Sequence, residues 1–149
     1  MRRLTFVAAA FFLLFCVSGD TASSQVSPAT TERIDQDTVL RVPTILRTKE
    51  FAPSSFVKFT ADAGMEFIVI RLEAQCPKGR KQLKTERART LLMDVDGKEH
   101  YAFSAGHELP CYADTFNDID IPFQVPMGTK VRTFRIEGIA VDLEKTPIR

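Results

Sequence analysis

The residues able to do chemistry are few. Two histidines are present, His100 and His107, and three cysteines, Cys16, Cys76 and Cys111. A His/Cys metal site would need Cys76 or Cys111 reduced, because the thiolate is the ligand. A serine hydrolase needs a nucleophile, a base and an orienting acid. No Gly-x-Ser-x-Gly elbow occurs, and Ser104-Ala105-Gly106-His107 is too compact to form such a triad by itself. No phosphate-cradling Gly-Lys-Thr loop occurs either. Asp114, Asp118 and Asp120, with Asn117, are oxygen ligands of the kind calcium takes, but their spacing fits no EF-hand. His100 falls on the polar face of its strand pattern, and His107 falls in a connection beside Glu108. No catalytic residue, metal or cofactor is therefore expected.

A different chemistry is concentrated between Cys76 and Leu91. Lys78, Arg80, Lys81, Lys84, Arg87 and Arg89 surround the single acid Glu86. Pro77 and Gly79 mark this segment as an exposed connection. Such a run attracts an anionic glycan, a lipid headgroup or an acidic protein surface, or serves solubility as a solvated loop. No aromatic residue interleaves it, so nucleic acid is not expected as a partner.

The N-terminus bears on the cysteines. Arg2 and Arg3 precede an apolar run from Leu4 to Val17 that ends at Ser18-Gly19-Asp20. These are the positive, apolar and small-residue regions of a signal peptide, and the run is shorter than the roughly 20 residues of a spanning helix. Residues 1–19 are read as the leader, or 1–24 if cleavage follows Ser24; an uncleaved anchor is the alternative. Phe15 before Cys16 argues against lipid attachment, so Cys16 leaves with the leader. Cys76 and Cys111 remain, and in an exported chain an even count reads as one disulfide, against two free buried thiols. Of 20 basic and 19 acidic residues, losing Arg2 and Arg3 leaves 18 against 19. No global field favours nucleic acid or anionic membrane.

These residues must be positioned by a β-framework. Residues 20–36 are rich in Ser, Thr, Ala and Gln, and read as a flexible spacer before a domain over 37–149. Residues 39–46 are β-branched and broken by Pro43, which suits an edge strand. Residues 56–60 alternate. Residues 65–74 are apolar on both faces, with Ile68, Ile70 and Leu72 on one and Phe67 and Val69 on the other, as in a central strand. Residues 91–95 lead through Asp96-Gly97 into a return strand with Tyr101 and Phe103 on one face. Ile119, Ile121, Phe123 and Val125 alternate with Asp118, Asp120, Pro122 and Gln124, giving one buried and one wet face, with Pro122 implying an edge or a point where ladder pairing is missing. In residues 131–143 the apolar parity changes at Gly138, which predicts a β-bulge there. About seven short strands with frequent turns predict an all-β, antiparallel two-sheet sandwich of immunoglobulin-like kind.

Three stretches carry a family likeness. Ala63-Gly64-Met65-Glu66-Phe67-Ile68-Val69-Ile70-Arg71-Leu72 resembles the glycine-led third strand of secreted bacterial immunoglobulin-like domains of unknown function. Those domains resemble the mycobacterial secreted immunoprotective antigen domain. Leu92-Met93-Asp94-Val95-Asp96-Gly97-Lys98-Glu99-His100-Tyr101 is similar to their Asp-Gly hairpin, and Pro122-Phe123-Gln124-Val125-Pro126 to their penultimate strand. The resemblance implies an immunoglobulin-like sandwich and an extracytoplasmic location, and implies no reaction. The chain departs from it at Gln75-Cys76, where Asn is frequent, and in lacking Trp.

The expected function is a secreted or cell-envelope binding module without catalytic activity, recognising an extracellular protein or an anionic glycan or envelope component. Its recognition loops would be residues 77–89 and 104–115, at one end of the sandwich. The alternative is a secreted inhibitor that presents a disulfide-braced loop to an enzyme of a host or competitor. Intact-mass analysis of exported protein is expected to show a chain beginning at Asp20 or Gln25. A membrane-extracted product retaining Met1 would count against secretion.

Overall fold

The computed structural model describes residues 31–35, 37–104 and 107–149. The expected leader and spacer residues 20–30 lie outside the described residues.

The continuous apolar run at residues 67–70 decides the architecture. It lies in β5 (Met65–Gln75), and a strand apolar on both faces needs cover on both. Antiparallel neighbours flank it, β2 (Thr38–Thr48) on one side and β10 (Asn117–Pro126) on the other. β1 (Thr31–Asp35) completes this sheet, in the order β1-β2-β5-β10. The last residues expected in the spacer are thus drawn into the sheet. A second antiparallel sheet has the order β12-β11-β7-β8, from β7 (Thr90–Asp94), β8 (Glu99–Tyr101), β11 (Val131–Ile136) and β12 (Ile139–Asp142). Together they make an all-β two-sheet sandwich.

The core lies between the sheets. Ile68, Ile70, Leu72, Phe123 and Val125 on one side meet Leu92, Phe134, Ile136, Val141 and Leu143 on the other. Phe123 and Phe134 join across the layers edge to face, 6.2 Å between ring centres. The outer face of β5 is covered by a ribbon of β3 (Glu50–Ser54) and β4 (Val57–Thr60). Phe51 from this ribbon closes over Phe67 and Val69, with Phe59 and Ala61 packed alongside. Phe103 adds edge contacts to Phe59 and Phe67 at 5.2 and 5.0 Å. Phe56, expected to begin a strand, instead occupies the turn of this ribbon and is 95% exposed.

Two expectations about irregular residues change. Pro43 lies in β2, which has neighbours on both sides rather than forming an edge. The ladder to β1 ends at Val42, and the register to β5 shifts between Arg41 and Thr44, so neither ladder draws on the proline. The shift also moves the core face from Leu40 and Val42 to Ile45. Beyond it the C-terminal residues take the place of β1: Ile45 N–H donates to Pro147 O and Arg149 N–H to Ile45 O, both at 2.9 Å. Pro122, by contrast, does lie on an outer strand. Its carbonyl accepts the Phe103 N–H at 2.7 Å, and it is buried rather than wet.

Gly138 is not a bulge. Ile136 pairs with Ile139, so Glu137-Gly138 is a two-residue hairpin turn. Both turn residues have positive φ, 46° and 84°, the requirement of the turn that matches strand twist. A two-residue turn puts Ile136 and Ile139 on one face, which produces the parity change. Phe134, Ile136, Ile139, Val141 and Leu143 are all buried, as expected. A Cβ at Gly138 would meet nothing within 4 Å, so any cost of adding one is conformational. Gly138→Ala is expected to destabilise the fold by about 1–2 kcal/mol, measured by urea unfolding. An unchanged midpoint would show that the turn does not need left-handed backbone.

Candidate recognition surface at the disulfide end

Cys76 follows the last residue of β5, and Cys111 ends β9 (Glu108–Cys111). The two form a disulfide with Cα atoms 5.3 Å apart. Cys76 N–H donates to Tyr112 O at 2.8 Å, and the Gln75 side-chain amide to Ala113 O at 2.7 Å. The two segments expected to be loops each contain a strand. β6 (Lys81–Lys84) pairs antiparallel with β9, with Leu83 opposite Leu109. Both leucines are buried in the main core, which is why this stretch is extended rather than looped. Past the ribbon, Thr85 closes on His107: its N–H and hydroxyl donate to His107 O at 2.9 and 3.0 Å. The two segments are one braced unit.

The six cations on and beside it are all exposed, but they do not form one patch. Lys78, Arg80 and Lys81 line a cleft of about 290 Å³ with Asp37. Lys84 lies at the far end of β6, and Arg87 and Arg89 lie in a single 3-10 turn beyond it. Lys78 pairs with Asp37 at 2.8 Å, and that hydrogen bond and charge hold its ammonium above the ordinary lysine value. Lys81 reaches Glu137 at 3.5 Å, and Arg89 reaches Glu86 at 3.4 Å. Arg80 stacks 5.0 Å from the ring centre of Tyr112, a cation–π contact that orients the guanidinium without neutralising it. Lys84 and Arg87 have no acidic partner among the described residues. The uncompensated charge of this end is therefore on Arg80, Lys84 and Arg87.

The other candidates are dispersed. Asp118 is bound to Arg71 on the outer face of the first sheet, at 2.5 Å. Ser104, His107, Asp118 and Asp120 line one cleft of about 280 Å³, but no hydrogen bond joins them among the described residues. Among the described residues no group of three or more His, Cys, Asp or Glu could hold a metal ion, and no helix is long and apolar enough to cross a membrane. The disulfide is compatible with an extracytoplasmic location.

One polar pair was not foreseen. His100 is buried, not on the wet face: His100 and Ala102 face inward, while Tyr101 and Phe103 are 48% and 39% exposed. His100 Nε2 donates to Asp94 Oδ2 at 3.0 Å. The other oxygen accepts the N–H groups of Asp96 and Lys98 at 3.0 and 2.9 Å, closing the Asp96-Gly97 turn. One signal for the pair was in the sequence, since Asp94 shares the face of Leu92; that His100 sits opposite Leu92 comes from the register of the hairpin. The His100 hydrogen bond, helped by the two backbone donors and opposed by burial, holds the Asp94 carboxyl below the ordinary carboxylate range. A lowered carboxyl pKa stabilises the fold fully above its unfolded value, and that stabilisation is lost as pH falls through the folded value. Asp94→Asn is therefore expected to lower the melting temperature at neutral pH and to flatten its decline in acid. Parallel melting curves for the variant and the parent across that range would remove the pair from the pH response.

The chain matches no known protein-family model and no curated protein. Among solved structures it is similar to an uncharacterised β-sandwich protein from Clostridium difficile 630. The identity is 14%, the likeness covers 74% of this chain and 87% of that one, and the TM-score is 0.48.

Proposed function

We propose that this chain is a secreted or cell-envelope binding module of immunoglobulin-like kind without catalytic activity. It engages an anionic glycan or an acidic extracellular surface through the disulfide end. The observation that supports this reading is the braced ribbon. The disulfide, the β6–β9 ladder and the Thr85–His107 contacts hold Arg80 and Lys84 on backbone that is ordered before a ligand arrives. Pre-ordered groups lose less freedom on binding, so more of their attraction appears as affinity. The uncompensated charges, rather than the whole basic segment, carry the interaction.

The test uses heparin as a polyanion, with elution followed against salt. Arg80→Gln with Lys84→Gln is expected to weaken retention by about 0.5–2 kcal/mol in total, to reduce the salt dependence, and to lower the melting temperature no more than loss of the exposed Arg80–Tyr112 contact accounts for. Replacing Cys76 and Cys111 by Ala is expected to keep the β-fold. A bridge across 35 residues contributes about 4 kcal/mol by chain entropy, so this variant melts lower and also binds more weakly. Parent protein passing heparin unretained, or retention indifferent to Arg80 and Lys84, would overturn the anionic partner.

A further inference from the structure

The flank of the sandwich between β8 and β10 shares Arg87 with the basic segment and otherwise carries its own recognition features. Among the described residues β8 pairs only with β7 in the order of its sheet, and β10 only with β5. In a strand, the N–H and C=O of one residue point to the same side. Ala102 N–H donates to Thr90 O at 3.3 Å, and Asp94 N–H to Lys98 O at 3.1 Å, so the even-numbered residues of this stretch face β7. The main-chain groups of Glu99 and Tyr101 therefore face the open flank. Phe103 N–H faces the same way and is taken by Pro122 O at 2.7 Å. From that one hydrogen bond the two sheet edges part around a cleft of about 450 Å³.

The cleft is chemically differentiated. His100, held through Nε2 by Asp94, fixes the middle of β8 at its wall. Phe103 lies at the vertex, and Tyr101 with Ala88 and the stem of Arg87 lines an adjoining shelf of about 310 Å³. Glu99 and Asp62 bring two carboxylates to the same cleft. Among the described residues Glu99 has no ion pair, and the Asp62 carboxylate accepts only the Gln124 amide, at 2.5 Å. Unpaired strand edges are templates for an added strand, whose main chain supplies affinity and whose alternate side chains supply specificity.

We infer that this flank takes an extended segment of a protein partner as an added strand beside β8. Its main chain pairs with Glu99 and Tyr101, an aromatic or branched side chain rests on the Tyr101 shelf, and a basic side chain meets Glu99 and Asp62. Arg87 also lines the cleft, and the excess of carboxylate over guanidinium there favours a basic segment over an acidic one. The heparin result does not bear on this site, and failure here leaves the heparin result standing.

The experiment titrates isotope-labelled full chain with the peptide acetyl-Lys-Val-Phe-Val-Lys-amide and follows backbone amides by NMR. The amides of Glu99 and Tyr101 are expected to shift saturably and to exchange more slowly with solvent. The same peptide N-methylated at Phe and at both Val residues, which blocks either edge of the added strand, and its counterpart with Glu for Lys, are expected to bind at least about tenfold more weakly. Tyr101→Pro removes a donor from the open edge while leaving the β7 ladder its bonds, and is expected to abolish binding with the melt retained. Should that variant not fold, Glu99→Lys, with an expected loss of about tenfold, decides together with the N-methylated peptide. Absence of saturable shifts at residues 99–103, or equal affinity of the N-methylated peptide, overturns the inference. A concentration-dependent dimer that Tyr101→Pro abolishes, without any peptide response, overturns the partner and gives the edge to a second copy of the chain.

Discussion

The structure depends on β5 being buried on both faces. Phe67 and Val69 cannot face water while Ile68 and Ile70 face the second sheet, so the fold needs a third layer over part of the first sheet. The β3–β4 ribbon supplies it, and Phe103, arriving from the other sheet, completes it. That requirement sets the path of the chain after β8. The chain must cross from one sheet to the other at residues 102–103, and the crossing places the Phe103–Pro122 hydrogen bond at the joint of the two sheets.

The two polar constructions of the molecule sit at opposite ends of this frame. At one end the Asp94 carboxylate, saturated by three donors, holds the β7–β8 turn shut. At the other the disulfide joins the end of β5 to β9. Each ties a turn or ribbon to a strand of a main sheet. The exposed charges of the disulfide end are thereby displayed on backbone that does not depend on those charges for its order.

What was legible in the sequence followed local rules. The alternation from Ile119 to Val125, the two-faced run of β5, the Asp96-Gly97 turn and the pairing of Cys76 with Cys111 all come from nearest-neighbour pattern or from a count of cysteines. What was misread rests on contacts distant in sequence. A bulge and a two-residue turn shift apolar parity in the same way, and only the pairing of Ile136 with Ile139 separates them. Pro43 marks a missing ladder bond, which an edge and a register shift both provide. On β8 the larger, more apolar side chains suggested the buried face. Small Ala102 and His100 took it because Asp94 across the turn satisfies the imidazole, while Phe103 was needed on the other side. The β6–β9 ribbon was hidden because only Leu83 and Leu109 are apolar enough to announce it, among charged neighbours. The basic segment was legible as a run of charge. Its neutralisation by Asp37, Glu137 and Glu86 was not, since two of those three acids are remote from it in the chain.

The succession of partners along β2 has a consequence for how the molecule is made. β1 covers its outer edge as far as Val42, and residues 147–149 cover it from Ile45 to Arg47. The second half of that edge therefore waits, through the emergence of everything in between, for residues 147–149. Until they arrive, Ile45 and Arg47 present open main-chain groups beside the exposed Leu46, the kind of template that recruits strands from other nascent copies. The first sheet is complete only once residues 147–149 have emerged. Any holding factor that keeps it extended until then protects this stretch of edge above all.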